Sequence, residues 1–282
     1  MIKKILVTGA NGYIGKHVVT ALLNNGVDVI ACDVHTTHID PRATIVNEDI
    51  FNAGKDVYQK LNAPDVCIHL AWKQGFFHHV DSHMLTLSGH YHFIRQLLDG
   101  GLKQLLVMSS MHEIGYYEGA VDENTPCNPR NLYGVAKDTL RKSVLMMAKD
   151  TDVVTQWVRA FYVYGDDVRN QSIFTKLILA EQNGEKTFPF NTGKNKFDFI
   201  HVVKLAEQIA AVATQNKIGG IINCCTGVPQ TLGNKVEEFI KENNFSIRLE
   251  YGAFADRLYD SPGIWGDNNK INQILQNQGS CL

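Results

Sequence analysis

Tyr133 and Lys137 lie four residues apart in the stretch YGVAK, so a helix would place both side chains on one face. The pKa of an ordinary tyrosine is about 10, which is too high for a base near neutral pH. An ammonium about 4 Å from the phenol, at an effective dielectric constant of about 20, would stabilise the phenolate by on the order of 4 kcal/mol. This would lower the phenol pKa by roughly 3, before desolvation opposes the effect. The pair is therefore predicted to exchange a proton with an alcohol or a ketone.

Ser110 is predicted to complete this group. It ends the apolar run QLLVMSS, 23 residues before Tyr133. Ligands of open α/β sheets bind outside the carboxyl ends of the strands. We therefore expect the Ser110 hydroxyl to orient the substrate oxygen. His112 follows two residues later and is expected to contact the same substrate.

A glycine-rich turn near the N-terminus predicts the redox partner. Gly9, Gly12 and Gly15 in TGANGYIG follow the first apolar strand and open the first helix. Glycines there permit a tight turn and close approach to a pyrophosphate, which the free N–H groups of the helix can bind. Asp33 ends the second strand, 18 residues after Gly15. A carboxylate there accepts the ribose hydroxyls of NAD and repels the 2′-phosphate of NADP, so the sequence favours NAD.

The elements that would position these groups are short apolar runs that alternate with helical periodicity. Runs that are apolar throughout are typical of parallel strands covered by helices on both faces. The predicted strands are 3–8, 27–33, 43–47, 65–71, 104–110 and 153–161, and the helices between them are 12–24, 82–98 and 131–149. This order predicts an α/β fold with a doubly wound parallel sheet of the Rossmann type.

The second half of the chain is predicted to form a smaller C-terminal substrate-binding lobe. Loops rich in Gly, Asn and Asp separate helices and short strands there, which we predict at 172–183, 202–214, 231–243, IINCC and SIRLEY. We predict an NAD-binding domain with the reactive groups over residues 1–165. The lobe would span 166–282 and be interleaved with the end of the sheet.

The composition excludes several classes of partner. A formal net charge of -2 and a pI near 6.6 leave no basic field for nucleic acid. The sequence has no run of about 18 apolar residues, and its first apolar stretch is too short for a signal sequence, so no membrane association is expected. The six cysteines lack zinc-like spacing, so no metal site is expected, and reduced thiols suit a cytoplasmic protein.

Over nearly its whole length the sequence resembles the extended short-chain dehydrogenase/reductases of the NAD-dependent epimerase/dehydratase family, which act on nucleotide-sugars. The matching stretches, in order, are TGANGYIG, EDI, HLAW, SS, YGVAK, RAFYVYG, FDFIHV and RLYD. The resemblance implies that Ser110, Tyr133 and Lys137 form the catalytic group. Ser109 is the reserve candidate, because the count along the strand can slip by one residue.

The resemblance also implies NAD as the cofactor and two sets of binding residues. The cofactor-binding residues would be Gly9, Asn11, Gly12, Tyr13, Ile14, Gly15, Asp33, Asp49, Ile50, Leu70, Ala71, Trp72, Ser109, Tyr133, Lys137 and Tyr162. The residues expected to bind the substrate, a nucleotide-diphosphate sugar, are Ser110, His112, Tyr133, Arg169, Ser172 and Arg257. Helices near 82–98 and 131–148 pair as a four-helix dimer interface in similar proteins, so a homodimer is expected.

Several positions depart from the family pattern. Phe197 stands where an arginine usually pairs with the substrate diphosphate, and Tyr162 stands where asparagine is usual. Arg257 remains as a second phosphate ligand. The loop SSMHEIGYYEG is similar to the corresponding loop of uronate dehydrogenases, which oxidise free sugar acids.

The residues after Ser110 discriminate among the reactions of the family. A 4,6-dehydratase carries an Asp-Glu pair right after the catalytic hydroxyl, whereas Met111 and His112 intervene here before Glu113. A 4-ketoreductase needs one hydride transfer and exchangeable cofactor. The expected reaction is therefore reversible reduction of a 4-keto-6-deoxy nucleotide-sugar, as by a sugar 4-dehydrogenase. A nucleotide-sugar 4-epimerase is the alternative, followed by uronate dehydrogenase-like oxidation and by a non-catalytic NAD-binding regulator.

Overall fold

The computed structural model describes residues 3–165, 168, 170–257 and 260–279. Strands β1 to β14 span Lys4–Thr8, Asp28–Asp33, Thr44–Asn47, Val66–His69, Gln104–Ser110, Gly119–Val121, Val154–Ala160, Tyr162–Tyr164, Thr187–Pro189, Lys196–His201, Gly220–Cys224, Pro229–Thr231, Arg248–Glu250 and Gly263–Gly266. Helices α1 to α9 span Tyr13–Asn24, Val57–Lys60, Ser82–Leu85, Leu87–Gly100, Leu132–Ala148, Ile173–Gln182, Val202–Thr214, Leu232–Glu242 and Asn269–Gly279. A 3₁₀ turn at Met111–Glu113 follows β5 directly.

The main sheet is parallel, with strand order β11-β7-β5-β4-β1-β2-β3. Its strands are apolar runs because helices cover both faces; Ile5, Leu6 and Val7 of β1, for example, are fully buried. Helices α1, α7 and α9 pack on one face, and α2, α4 and α5 pack on the other. The predicted Rossmann-type doubly wound sheet is confirmed.

The second half of the chain contributes to the main sheet and to a smaller lobe. Strand β11 pairs in parallel with β7 and forms one edge of the main sheet. Strands β12, β10, β14 and β6 form a second sheet in that order, with β8 paired to β10, and β9 pairs with β13. The apolar core of the lobe includes Phe174, Leu177, Phe190, Phe197 and Phe239.

The elements differ from the sequence predictions in a few places. The helix predicted at 82–98 is divided at Thr86 into α3 and α4. The Thr86 hydroxyl donates to the carbonyl oxygen of Ser82 at 2.7 Å, a bond that competes with regular helix geometry. The elements that were not predicted are strands β6, β8, β9, β10, β12 and β14 and helices α2 and α9. Helix α9 is largely polar, with Ile271 and Ile274 as its buried residues, so few apolar residues mark it in the sequence.

Within the described residues, no helix has the length and apolarity needed to cross a bilayer.

Candidate active site

The glycine-rich turn between β1 and α1 lies where the strand order reverses. Strand β1 is flanked by β2 and β4, so a crevice opens beyond the carboxyl ends of β1 and β4. Gly9 has a φ of +70°, and a Cβ there would lie 2.7 Å from the backbone nitrogen of Ala71. A Cβ on Gly15 would lie 2.0 Å from the carbonyl oxygen of Gly9. Glycine is therefore required at both positions, and the backbone of the turn is left open to a ligand.

Asp33 is held beside this turn. Its Oδ2 accepts the Asn11 N–H at 3.0 Å, and its Oδ1 accepts the His35 N–H at 3.3 Å. The Asn11 Oδ1 in turn accepts the His38 N–H at 2.9 Å. These bonds fix a carboxylate at the end of β2, next to the glycine turn.

Some of the other residues predicted to bind the cofactor lie near this turn or at the ends of neighbouring strands. Leu70 and Ala71 follow β4 and abut Gly9. The carboxylate of Asp49, after β3, accepts the Phe51 N–H at 3.1 Å. Gly12 is the N-cap of α1, so it adds no side chain over the first N–H groups of that helix. The bare turn, the helix N-terminus and the carboxylate beside them fit a dinucleotide with an unmodified ribose, which is NAD.

Helix α5 begins where it brings Tyr133 to the end of β5. Asn131 caps the helix, because its Oδ1 accepts the Gly134 N–H at 2.8 Å. Gly134 permits close packing on the 3₁₀ turn, since a Cβ there would lie 2.3 Å from the carbonyl oxygen of His112. In this arrangement the Ser110 hydroxyl lies close enough to the Tyr133 phenol to act on its pKa.

Lys137 lies one turn further along α5 and is buried. Its Nζ donates to the carbonyl oxygen of Met108 at 2.7 Å. The same atom lies 3.6 Å from the ring centroid of Trp72 and 5.8 Å from that of Tyr133. Burial lowers the pKa of Lys137 to about 7. The three residues predicted to be catalytic are thus brought together in one cluster.

The expectation that Lys137 lowers the phenol pKa is wrong for this arrangement. Burial raises the pKa of Tyr133 above its usual value, and the nearby Ser110 hydroxyl opposes this rise only in part. The ammonium is directed at Met108 and Trp72, so loss of solvent outweighs its attraction for a phenolate. The phenol is therefore neutral at pH 7 and can act as a proton donor.

The rings of three histidines, His78, His83 and His112, adjoin that of Tyr133. The ring of His78 stacks on that of Tyr133 with centroids 5.7 Å apart, and the ring of His112 lies 4.0 Å from that of His78. Burial lowers the pKa of His78 to about 4 and that of His112 to about 3, and the charge of Arg257 adds to both effects. Both imidazoles are therefore neutral near pH 7. Sequence reasoning missed His78, because no pattern relates its loop to the helix that carries Tyr133.

A buried ion pair lies under the site and was also missed. Glu113 is fully buried and forms a salt bridge with Arg159 of β7. Ser109 and the Trp157 indole donate to the same carboxylate, at 2.5 and 2.9 Å. The hydroxyl of Ser109 therefore belongs to this network, whereas Ser110, on the opposite face of the strand, adjoins Tyr133. The available signal was an arginine inside an otherwise apolar strand, which requires a buried partner.

The aromatic residues that depart from the family pattern contact each other. Tyr162 stacks on Phe197 with ring centroids 3.9 Å apart. Both line a small cavity together with Met111, His112 and Asp260. The cavity therefore connects the turn after Ser110 with the C-terminal lobe.

Ser172 and Arg169 were both predicted to bind the substrate. Ser172 is the N-cap of α6, and its Oγ accepts the Thr175 N–H at 3.2 Å. Arg169 lies outside the described residues.

Comparisons with known proteins show the family to which the chain belongs. Residues 5–225 match the model of the NAD dependent epimerase/dehydratase family. The dTDP-6-deoxy-L-talose 4-dehydrogenase (NAD(+)) of Aggregatibacter actinomycetemcomitans is 42% identical over 267 residues, which cover 93% of this chain and 98% of that protein. A putative UDP-glucose 4-epimerase of Methanocaldococcus jannaschii is 29% identical over 277 residues, which cover 92% and 86% of the two chains.

A solved structure shares the fold. MoeE5 in complex with UDP-glucose and NAD is 24% identical and superposes with a TM-score of 0.82, over 97% of this chain and 92% of that one. Together with the matched residues 5–225, these relatives show that the chain belongs to the NAD dependent epimerase/dehydratase family.

Proposed function

We propose that this chain is an NAD-dependent nucleotide-sugar oxidoreductase that reversibly reduces a 4-keto-6-deoxy nucleotide-sugar. The observation that carries the proposal is the cluster of Ser110, Tyr133 and Lys137 beside the glycine turn. The 42% identity to a dTDP-6-deoxy-L-talose 4-dehydrogenase supports this substrate class. The same groups serve both directions, because a proton donor to a ketone becomes a proton acceptor from the alcohol.

Each group has one role in this proposal. The glycine turn and the N-terminus of α1 hold the pyrophosphate, and Asp33 accepts the ribose hydroxyls. NAD, when bound, supplies or takes up the hydride. Tyr133 gives its proton to the substrate oxygen, and Ser110 holds that oxygen beside the phenol. Lys137, whose pKa burial lowers to about 7, supplies a positive charge near the phenol in its protonated form.

The protonation state of Tyr133 supports the reductive direction. Burial raises the pKa of the phenol, so the residue carries its proton at pH 7. A ketone oxygen needs a proton as it receives a hydride at the adjacent carbon. Oxidation of the alcohol requires the phenolate first, which costs free energy in this environment.

The turn after Ser110 argues against dehydration. Met111 is buried and His112 is neutral near pH 7. The carboxylate of Glu113 is engaged by Arg159 and by two further donors. Residues 111–113 therefore offer no free carboxylate to remove a proton from the sugar.

We assign the cofactor and the reactive groups to residues 1–165 and the nucleotide-sugar to the lobe of residues 166–282. Phe197 is buried against Tyr162, so it brings no cation to the diphosphate. Arg257 supports this assignment, because its charge acts on His78 and His112, which lie beside Tyr133. We propose that it binds the diphosphate together with Arg169 and Ser172.

We also propose that the protein is a homodimer formed through α4 and α5 and their neighbour α3. Helices α4 and α5 pack side by side. Leu85 at the end of α3 and Met146 in α5 are each 78% exposed, which is high for large apolar side chains on adjacent helices. A cytoplasmic location is proposed as well, because the cysteines of the described residues are free thiols.

The reaction is tested with purified enzyme, NADH and a dTDP-4-keto-6-deoxyhexose. We expect NADH consumption and formation of the 6-deoxy sugar alcohol, with the Tyr133→Phe variant as the blank. No NADH consumption, together with tightly retained NAD and interconversion of hexose epimers, would favour the 4-epimerase, which the relative from Methanocaldococcus jannaschii makes the second candidate. A parallel incubation of NAD with free uronates tests the loop similarity to uronate dehydrogenases.

A further inference from the structure

The indole of Trp72 connects the reactive lysine with the loop that covers the reactive tyrosine. Trp72 follows β4 and is half-buried. The Nζ of Lys137 lies 3.6 Å from its ring centroid, and the imidazole of His90 stacks on it with centroids 4.3 Å apart. Its Nε1–H donates to the Nδ1 of His83 at 3.1 Å. One side chain therefore contacts two parts of the site.

We propose that Trp72 is a positioning residue, which holds the Lys137 ammonium with its ring and the loop of residues 73–81 with its Nε1–H. The inference rests on the proposed function, because that function assigns Lys137 and Tyr133 to the chemistry. Trp72 acts through these groups and not on the sugar itself.

The ring of Trp72 is an unusual partner for a buried ammonium. Burial favours the neutral amine, and one N–H of Lys137 reaches the carbonyl oxygen of Met108. The titratable groups that face the ammonium are Glu113 after β5, His69 of β4, His90 of α4 and Tyr133 of its own helix. The pKa values of the two histidines are lowered by burial, and the Glu113 carboxylate, which raises the lysine pKa, is shared with Arg159. The indole face therefore stabilises the cation without a free counter-charge, as cation–π contacts do.

The Nε1–H of Trp72 holds the loop through His83. Because the Nδ1 of His83 accepts this hydrogen bond, its Nε2 carries the proton and donates to the carbonyl oxygen of Phe77 at 2.8 Å. The carbonyl oxygen of the next residue, His78, accepts the Tyr133 N–H at 3.0 Å. That N–H lies in the first turn of α5, where the helix itself supplies no acceptor. The protection of the Tyr133 amide from hydrogen exchange with water therefore depends on the loop.

The contact with lysine is tested by NMR titration of the enzyme without NAD or sugar. In protein with ¹³C-labelled lysine, the Lys137 signal is identified by its loss in Lys137→Met, and its pKa is read from the shift against pH. We expect a wild-type pKa near 7. Trp72→Leu should lower it by about 1.5, and Trp72→Phe, which keeps a weaker ring, should lower it by less. Trp265→Leu in β14 is the matched control and should leave it unchanged.

An unchanged Lys137 pKa in folded Trp72→Leu overturns the role of the ring. If that variant does not fold, Trp72→Phe decides the point, because an unchanged pKa in this variant has the same meaning.

The proposed role of Trp72 and His83 in fixing the loop of residues 73–81 is tested by hydrogen exchange at the Tyr133 amide, again without sugar. His83→Leu removes both bonds of the imidazole, whereas His83→Gln keeps one acceptor and one donor. We expect exchange to be about tenfold faster in Trp72→Phe and His83→Leu, and near wild type in His83→Gln. Equal exchange in His83→Leu and wild type overturns this role. Since neither measurement uses a sugar, a wrong substrate assignment leaves both results interpretable.

Discussion

Burial decides the charge states of the two titratable groups at the centre of the site. It raises the pKa of Tyr133 and lowers that of Lys137 to about 7, so both shifts favour the uncharged form. For the lysine, the unfolded chain stays protonated up to a pKa of about 10.4. Between about pH 7 and pH 10 the unfolded state therefore binds more protons than the folded state, and this group makes stability rise with pH in that window.

The role of Tyr133 as proton donor predicts a selective loss in Tyr133→Phe. The ring that contacts His78 is retained, so folding and NAD affinity should stay near wild type. We expect kcat to fall by about 10² to 10⁴, the range for loss of a general acid. Tyr58→Phe in α2, which removes a hydroxyl bonded to the Pro64 carbonyl, is the control and should keep kcat. Steady-state kinetics and calorimetric NAD titration distinguish the cases, and a kcat within a few-fold of wild type would refute the proton role.

At the scale of elements, the Glu113 network joins the 3₁₀ turn after β5 to strand β7. Glu113→Gln keeps the size of the side chain but leaves the buried Arg159 guanidinium without a counter-charge. We expect the free energy of unfolding to fall by about 3–5 kcal/mol, as measured by urea denaturation. Glu118→Gln, on an exposed carboxylate that accepts from Tyr116, is the control and should change it by about 0.5 kcal/mol or less. A comparable small change in Glu113→Gln would contradict the network's role.

The elements that sequence patterns predicted well are those buried on both faces. Strands such as β5 have a continuous apolar centre that is buried, so their position and type follow from burial alone. Strand β14, four residues long, and the largely polar helix α9 are stabilised by partners distant in sequence, and a local pattern cannot supply those partners. The break at Thr86 is a local change of backbone geometry, which apolar periodicity does not register.

At the scale of the whole molecule, the proposed dimer predicts the effect of charge on its apolar surface. Leu85→Glu in α3 and Met146→Glu in α5 each place a charge on the surface through which the dimer is proposed to form. We expect light scattering to report a dimer for wild type and a monomer for the double variant, because burying unpaired charge is costly. Val228→Glu, at a 68% exposed residue in the turn before β12, is the control and should remain dimeric. A monomeric wild type would remove the proposal.

The sequence predicted only part of the site, because some of its residues are brought together by the packing of the whole molecule. Ser110, Tyr133 and Lys137 lie at element ends or on one helix face, where spacing fixes proximity. His78 and Trp72 belong to a loop and His83 to the short helix α3, so their mutual positions follow only from tertiary packing. The phenol pKa was predicted in the wrong direction, because charge spacing is visible in a sequence and solvent exclusion is not.

Strand β11 limits where the chain can be divided into separate parts. It comes from the second half of the chain, yet it flanks β7 at the rim of the main sheet. A chain severed after residue 165 would leave β7 as a bare rim that invites self-association. We therefore expect residues 1–165 to be unstable or prone to self-association when they are separated from β11.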